Sequence, residues 1–199
     1  MRNRAVLLAI FAGLLLAPVQ GAFAFGLGGG LSSLKRQLEP RFISSRGPTL
    51  APMGHVIFCA KEPSQCRSFG RSVVAMNAVK KQELNRINAS VNHRIRPIND
   101  KGSKGWADTW TVAPKSGDCE DFALTKRAEL IARGWPSRAL RIAVAKTSWG
   151  EGHAVLVVRT TDGDLVLDNR RSGVVPWHKS GLTWLKIQSP VDAKRWLAI

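Results

Sequence analysis

At 199 residues the chain can hold a real core, and its 30 Lys and Arg against 14 Asp and Glu give a formal net charge of +16. Such an excess suits nucleic acid, but the basic residues are scattered (Lys35-Arg36, Lys80-Lys81, Arg94, Arg96, Lys126-Arg127, Arg170-Arg171) and form no nucleic-acid-binding motif. Two readings of the charge remain: attraction to acidic proteins, anionic head groups or an acidic cell envelope, or a solvated basic surface without a dedicated partner.

Residues 1–24 read as an export signal. Arg2 and Arg4 form a basic start, Ala5 to Ala17 an apolar stretch, and Ala22-Phe23-Ala24 a small-x-small cleavage site. The apolar run is too short to span a bilayer comfortably, although an uncleaved N-terminal anchor is the alternative. No later stretch approaches a membrane span, so the mature chain is expected to have none. Export implies a periplasmic or secreted protein and argues against nucleic acid as a partner. Phe25 to Pro52, rich in Gly, Ser, Pro and Arg, reads as a flexible leader, with the domain proper over 53–199.

His55 to Cys59 reads as a short strand entering a loop closed by Cys66, with Pro63 helping to turn the chain. In an oxidising compartment a Cys59–Cys66 disulfide is the natural pairing. Cys119 is left over, either buried and inert or kept because it reacts. From Ser68 to Val91 the apolar residues Val73, Val74, Met76, Val79, Leu84, Ile87 and Val91 recur at mostly three- and four-residue spacing, which predicts a long amphipathic helix. A loop follows through Pro97, Gly102 and Gly105, carrying Trp106, Asp108 and Trp110 to Pro114.

A second helix is predicted from Asp118, a good N-cap with Asp121 three residues on, to Gly134, where Pro136 prevents continuation. Leu140 to Lys146, His153 to Arg159 and Asp164 to Asp168 read as strands, the last two separated by an Asp162-Gly163 turn signal. Trp177, Trp184 and Trp196 lie in a C-terminal stretch without a readable pattern. Helix, helix, then antiparallel strands define the class as α+β.

Cys119 opens the second helix, where backbone N–H groups stabilise a thiolate, and Gly117 leaves room for a substrate to approach. The acids Asp118, Glu120 and Asp121 act against the thiolate, so a basic partner is required. His153 fits: it follows Gly150-Glu151-Gly152 and opens an apolar strand. His55, His93 and His178 read as ordinary surface or core residues. Asp168 ends the run Leu165-Val166-Leu167, where an acid is costly unless paired. A turn centred on Asp162-Gly163 would leave His153 and Asp168 four positions out of step, or about 13 Å. A Thr160 to Gly163 loop halves the offset and is the register expected. Asn169 is a rival for the role of Asp168.

Taken together, Gly117-Asp118-Cys119-Glu120-Asp121-Phe122-Ala123 with Lys126, Gly152-His153-Ala154-Val155-Leu156-Val157-Val158, and Val166-Leu167-Asp168-Asn169 resemble the bacterial transglutaminase-like cysteine proteinases. Phe58-Cys59 with Cys66, Val91-Asn92 and Asp108-Thr109-Trp110 strengthen the resemblance, which covers roughly 53 to 178. Phe122 stands where that family often has Tyr, and the segment from Trp110 to Cys119 is short.

The resemblance implies a papain-like, transglutaminase-like core with a cysteine-bearing helix on an antiparallel sheet, and a protease with the triad Cys119, His153 and Asp168. It implies calcium bound by Asp118, Glu120 and Asp121, although helix capping alone also explains acids at these positions. The implied partners are a protein substrate, such as a surface adhesin or another envelope protein, and a regulator at the inner membrane. Trp110 could donate its indole N–H to an oxyanion, or serve only as a core aromatic. Transglutaminase-type cross-linking or deamidation shares the same thioester chemistry, and a non-catalytic envelope-binding module is a further alternative.

Overall fold

The structure is a computed structural model that describes residues 40–98 and 109–199. The expected signal peptide, the leader up to residue 39, and Trp106 and Asp108 lie outside the described residues. The elements in chain order begin with β1 (Gly47–Thr49), α1 (Met53–Lys61), a 3-10 turn (Pro63–Cys66), α2 (Ala78–Arg94), β2 (Arg96–Pro97) and β3 (Ser116–Gly117). They continue with α3 (Cys119–Ala132), β4 (Leu140–Lys146), β5 (Gly152–Thr160), β6 (Gly163–Leu167), β7 (Val175–Pro176), β8 (Thr183–Gln188) and β9 (Trp196–Ala198). Seven strands form an antiparallel sheet in the order β1-β9-β8-β4-β5-β6-β7, and β2 pairs with β3 in a small parallel ribbon.

The sheet is covered on both faces, which is why β5 reads as an almost unbroken apolar run instead of a clean alternation. Leu156, Val158 and Leu167 pack with Leu84, Ile87 and Val91 of α2 and Phe122, Leu124 and Leu130 of α3. Val155, Val157 and Val166 join Ile43, Ala143 and Ile187 in the second cluster, with Trp177 and Trp184 against it. The C-terminal tryptophans therefore belong to the sheet and its second face.

Three sequence expectations are corrected. Residues 40–52 are not a loose leader: β1 pairs with β9, and Ile43 is buried. The Ile43 N–H donates to Asp164 Oδ2 at 2.8 Å, and Arg159 clamps the same carboxylate with two bonds of 2.6 and 2.8 Å. His55 to Cys59 is helix, not strand, because a buried face of Gly54, His55, Phe58 and Cys59 repeats at helical spacing. The long helix starts at Ala78, capped by Asn77, whose side chain accepts the Lys80 N–H. The residues before it are drawn away by the sheet, Val74 bridging to Thr160.

The β5–β6 hairpin has the register expected for a Thr160 to Gly163 loop, with Arg159 opposite Asp164. The rung Thr160↔Gly163 leaves Thr161-Asp162 as the turn, not Asp162-Gly163. Gly163 adopts φ +127 there, and a Cβ would meet the Arg41 carbonyl oxygen at 2.6 Å. The rungs continue to Leu156↔Leu167, which is the register that brings His153 and Asp168 within two positions of each other.

Candidate active site

The start of α3 is fixed locally. Asp118 and Asp121 close a capping box, Asp121 Oδ2 accepting the Asp118 N–H at 3.3 Å. Asp121 Oδ1 accepts the Thr111 N–H at 2.7 Å, and Thr125 Oγ1 accepts the Ala113 N–H at 2.8 Å, so α3 also anchors the segment leading into it. Gly117 is required by this packing, since a Cβ would overlap Asp121 Oδ2 and lie 2.8 Å from Asp121 Cβ. Cys119 is the first helical residue and the unpaired cysteine, because Cys59 and Cys66 form a disulfide.

β6 pairs with β5 only as far as Leu156↔Leu167, and the chain turns away at Asp168. The end of α3 reaches β5 just beyond that last rung: the Ala154 N–H donates to Cys119 Sγ at 3.2 Å. The neighbouring residue, His153, is buried and bonds through Nε2 to Asp168 Oδ1 at 2.9 Å. Asp168 Oδ1 also accepts the Arg170 N–H at 2.9 Å, and Asn92 of α2 donates from Nδ2 to the Asp168 carbonyl at 3.0 Å. The structure thus brings Cys119, His153 and Asp168 into one small region and makes Asp168, not Asn169, the partner of His153.

Burial alone would raise the Asp168 carboxyl. The hydrogen bond from His153, its charge, the Arg170 amide and the Lys126 charge outweigh that and hold it below the usual carboxylate value. Cys119 is governed by the opposite balance. Burial, followed by the charge of Glu120, pushes the thiol well above its ordinary value, against a smaller lowering by the Ala154 amide. Its S–H donates to Glu120 Oε2 at 3.1 Å, and no direct hydrogen bond joins it to His153. In this arrangement the S–H of Cys119 is directed to Glu120.

The three acids are not equivalent. Both Asp121 oxygens accept backbone amides, so Asp121 acts as a cap. Among the described residues, the one set of three His, Cys, Asp or Glu ligand atoms lying within 4.8 Å of one another is His55, Cys59 and Cys66, and both sulfurs are in the disulfide. Asp118, Glu120 and Asp121 do not form such a set among the described residues, although Glu120 and Asp118 stand on either side of the thiol in the chain. Trp110 is a core aromatic, its ring edge-on to His55 and Trp196 at centroid distances of 5.3 and 6.5 Å. His55 is a core histidine tying α1 to the far strands.

A family model described as bacterial transglutaminase-like cysteine proteinase matches residues 45–199. The chain belongs to this family. It is a cysteine peptidase with a transglutaminase-like fold. Three solved structures of Legionella pneumophila LapG are similar, each with a TM-score of 0.51. The calcium-bound form is 23% identical over 85% of this chain and 87% of that one. The EGTA-treated form is 25% identical over 75% and 80%, and a further LapG structure is 24% identical over 74% and 80%. No curated protein matches. Among the described residues no helix is long and apolar enough to cross a membrane.

Sequence reasoning missed two features of the site. Asn92 entered only through the family resemblance, and its hold on the Asp168 carbonyl depends on how α2 packs on the sheet. Lys126 is fully buried, whereas a lysine in a helix is ordinarily read as solvent-facing.

Proposed function

We propose that this cysteine peptidase is exported and hydrolyses peptide bonds through Cys119, His153 and Asp168. The observation that carries the reading is the 2.9 Å His153–Asp168 bond beside a cysteine whose sulfur sits on the amide of the next residue, Ala154. His153 Nε2–H donates to Asp168, which leaves Nδ1 to take the thiol proton. The thiolate adds to the amide carbonyl, and the oxyanion that forms finds the backbone N–H groups at the start of α3. His153 returns the proton to the leaving amine as the C–N bond breaks, giving a thioester. Water, deprotonated by His153, then releases the acid and regenerates the thiol.

Calcium belongs to the same proposal. Asp118 and Glu120, two hard oxygen donors flanking Cys119, fit such a cation, with Asp121 remaining the helix cap. When bound it would supply positive charge where Glu120 now opposes ionisation of the thiol. The LapG structures, one calcium-bound and one EGTA-treated, support this reading by similarity. The substrate class we infer is a protein of the cell envelope, such as a surface adhesin, under control of a regulator at the inner membrane.

The test is incubation of envelope fractions with wild-type protein and Cys119→Ala, followed by mass spectrometry of new N-termini. Cleavage by the wild type alone is expected. New isopeptide bonds or deamidated glutamines without cleavage would assign a transferase, and identical patterns from both proteins would leave a binding module.

A further inference from the structure

α2 carries three asparagines, Asn85, Asn88 and Asn92, spaced three and four residues apart and so on one face of the helix. Asparagine is a poor helix former, because its amide competes for nearby backbone groups. Three on one face of a 17-residue helix therefore need a reason. Asn88 is fully buried and Asn92 half-buried, so the ordinary preference for polar residues at a surface does not supply one.

The reason lies across from the helix, in the chain after β6. β6 ends at Leu167 and β7 starts at Val175, so residues 168–174 belong to no strand and their backbone groups must be satisfied elsewhere. The asparagine face meets them in order. Asn92 Nδ2 donates to the carbonyls of Asp168 and Arg171 at 3.0 and 2.9 Å. Asn88 Nδ2 donates to the carbonyls of Arg171 and Ser172 at 2.9 and 3.2 Å. Asn85 Oδ1 accepts the Val174 N–H at 3.1 Å. Among the described residues the side-chain oxygens of Asn88 and Asn92 have no partner, so this loop is what the two amides bind.

The grip reaches the acid of the site. Asp168 is one residue past the last β5–β6 rung, Leu156↔Leu167, and His153 lies three residues before Leu156. Pairing alone would leave the two side chains two positions out of step, about 7 Å along the strands. The chain must turn at Asp168 for its carboxylate to reach His153 Nε2 at 2.9 Å. Within the turn, the Arg170 N–H donates to Asp168 Oδ1 at 2.9 Å and the Arg171 N–H to the Asp168 carbonyl at 3.4 Å. From outside it, Asn92 holds that same carbonyl.

We propose that Asn92 and Asn88 are positioning residues, which fasten the turn at Asp168 to α2 so that its carboxylate stays within bonding distance of His153. The proposal rests on the acyl-transfer reading of the site. It also accounts for the residue type. An amide donates two bonds from one short, neutral group, whereas a lysine or arginine would compete with His153 for the carboxylate and an acid would repel it. Asn85 holds the far end of the loop and is a tether only.

The experiment follows the His153 ring by nuclear magnetic resonance in full-length protein with labelled histidine, and Cys119 by its rate of iodoacetamide alkylation at neutral pH. Neither readout needs a substrate, and His153→Gln assigns the signal. In wild type the neutral ring should carry its proton on Nε2. Asn92→Ala should give a mixture of tautomers and slow alkylation about fivefold. Asn88→Ala should act in the same direction and less strongly. Asn85→Ala should lower the melting temperature with the tautomer unchanged and the rate within about twofold of wild type. In an Asp168→Asn background, Asn92→Ala should slow alkylation no further, because it acts through Asp168. An unchanged tautomer and rate in Asn92→Ala would overturn the proposal. So would slowing that simply follows the loss of melting temperature, whichever asparagine is removed. Asn92→Ser serves as a second variant, and failure of both Asn92 variants to fold would make Asn92 a structural residue. If wild-type Cys119 is no more reactive than a free thiol, the acyl-transfer reading itself falls, whatever the variants do.

Discussion

Asp168 and His153 meet through Nε2, so the carboxylate fixes the ring tautomer as well as its orientation. Asp168→Asn should therefore lower kcat by about a hundredfold or more with little change in KM, measured by steady-state kinetics on a cleavable peptide. Undiminished activity would move the orienting role to Asn169. The same substitution should alter acid stability. Asp168 is held below the usual carboxylate value in the folded protein, so its contribution is present above about pH 4 and is lost as pH falls through the lowered value. Denaturant titrations below pH 4 should show a shallower loss in the variant. At this scale the residues of the candidate site were readable from the sequence because each sits beside a local signal: Gly117 and Asp118 before Cys119, a glycine-rich loop before His153, and an apolar strand ending at Asp168. Lys126 entered only through the family resemblance, and no local signal foretold its burial, which depends on how α3 packs.

The junctions between elements account for two further expectations. A Cβ at Gly117 would displace the Asp121 carboxylate from both amides it accepts, so Gly117→Ala should destabilise the protein by about 1–3 kcal/mol and slow Cys119 alkylation by moving the helix start. Chemical denaturation checks the first effect. His55 on α1 accepts the Trp196 Nε1–H at Nδ1, 3.2 Å away, and its Nε2 lies 2.9 Å from Gln188 Nε2. An imidazolium would turn N–H groups toward both, and burial, with the Arg127 charge second, lowers its protonation to about pH 4. The unfolded chain binds this proton more readily, so stability should fall as pH drops from about 6.5 toward 4. His55→Gln should flatten that slope in thermal melts. Local chemistry also decided which elements were legible. The α3 cap is written within four residues, whereas α1 was misread because Val56-Ile57-Phe58-Cys59 is apolar at every position and carries no period of its own. β9, three residues long, owes its existence to β1, some 150 residues earlier, and to β8. No window of sequence contains that information.

Over the whole molecule a strongly basic chain has gathered several of its few acids at one place. Asp118, Glu120 and Asp121 adjoin Cys119, and Asp168 is bonded to His153, within a protein of formal charge +16. The general field of the chain does not relieve this local repulsion, because the scattered surface cations are screened over about 10 Å at ordinary ionic strength. A cation bound at Asp118 and Glu120 would relieve it, and by binding only the folded state would stabilise the whole domain. At a hundred times its dissociation constant such a ligand contributes about 2.7 kcal/mol. For a chain of this size that corresponds to a melting shift of roughly 5–10 °C. Chelation should lower the melting temperature by about that amount and slow Cys119 alkylation together, and added calcium should restore both. Glu120→Gln should weaken the calcium effect on melting while raising the alkylation rate of chelated protein, since it removes the charge that holds the thiol proton. Calorimetry at millimolar calcium gives the independent check. No binding, with chelated protein as stable and as reactive as before, would leave Asp118 and Asp121 as helix caps and Glu120 as a brake on the thiol, with His153 alone to draw off its proton.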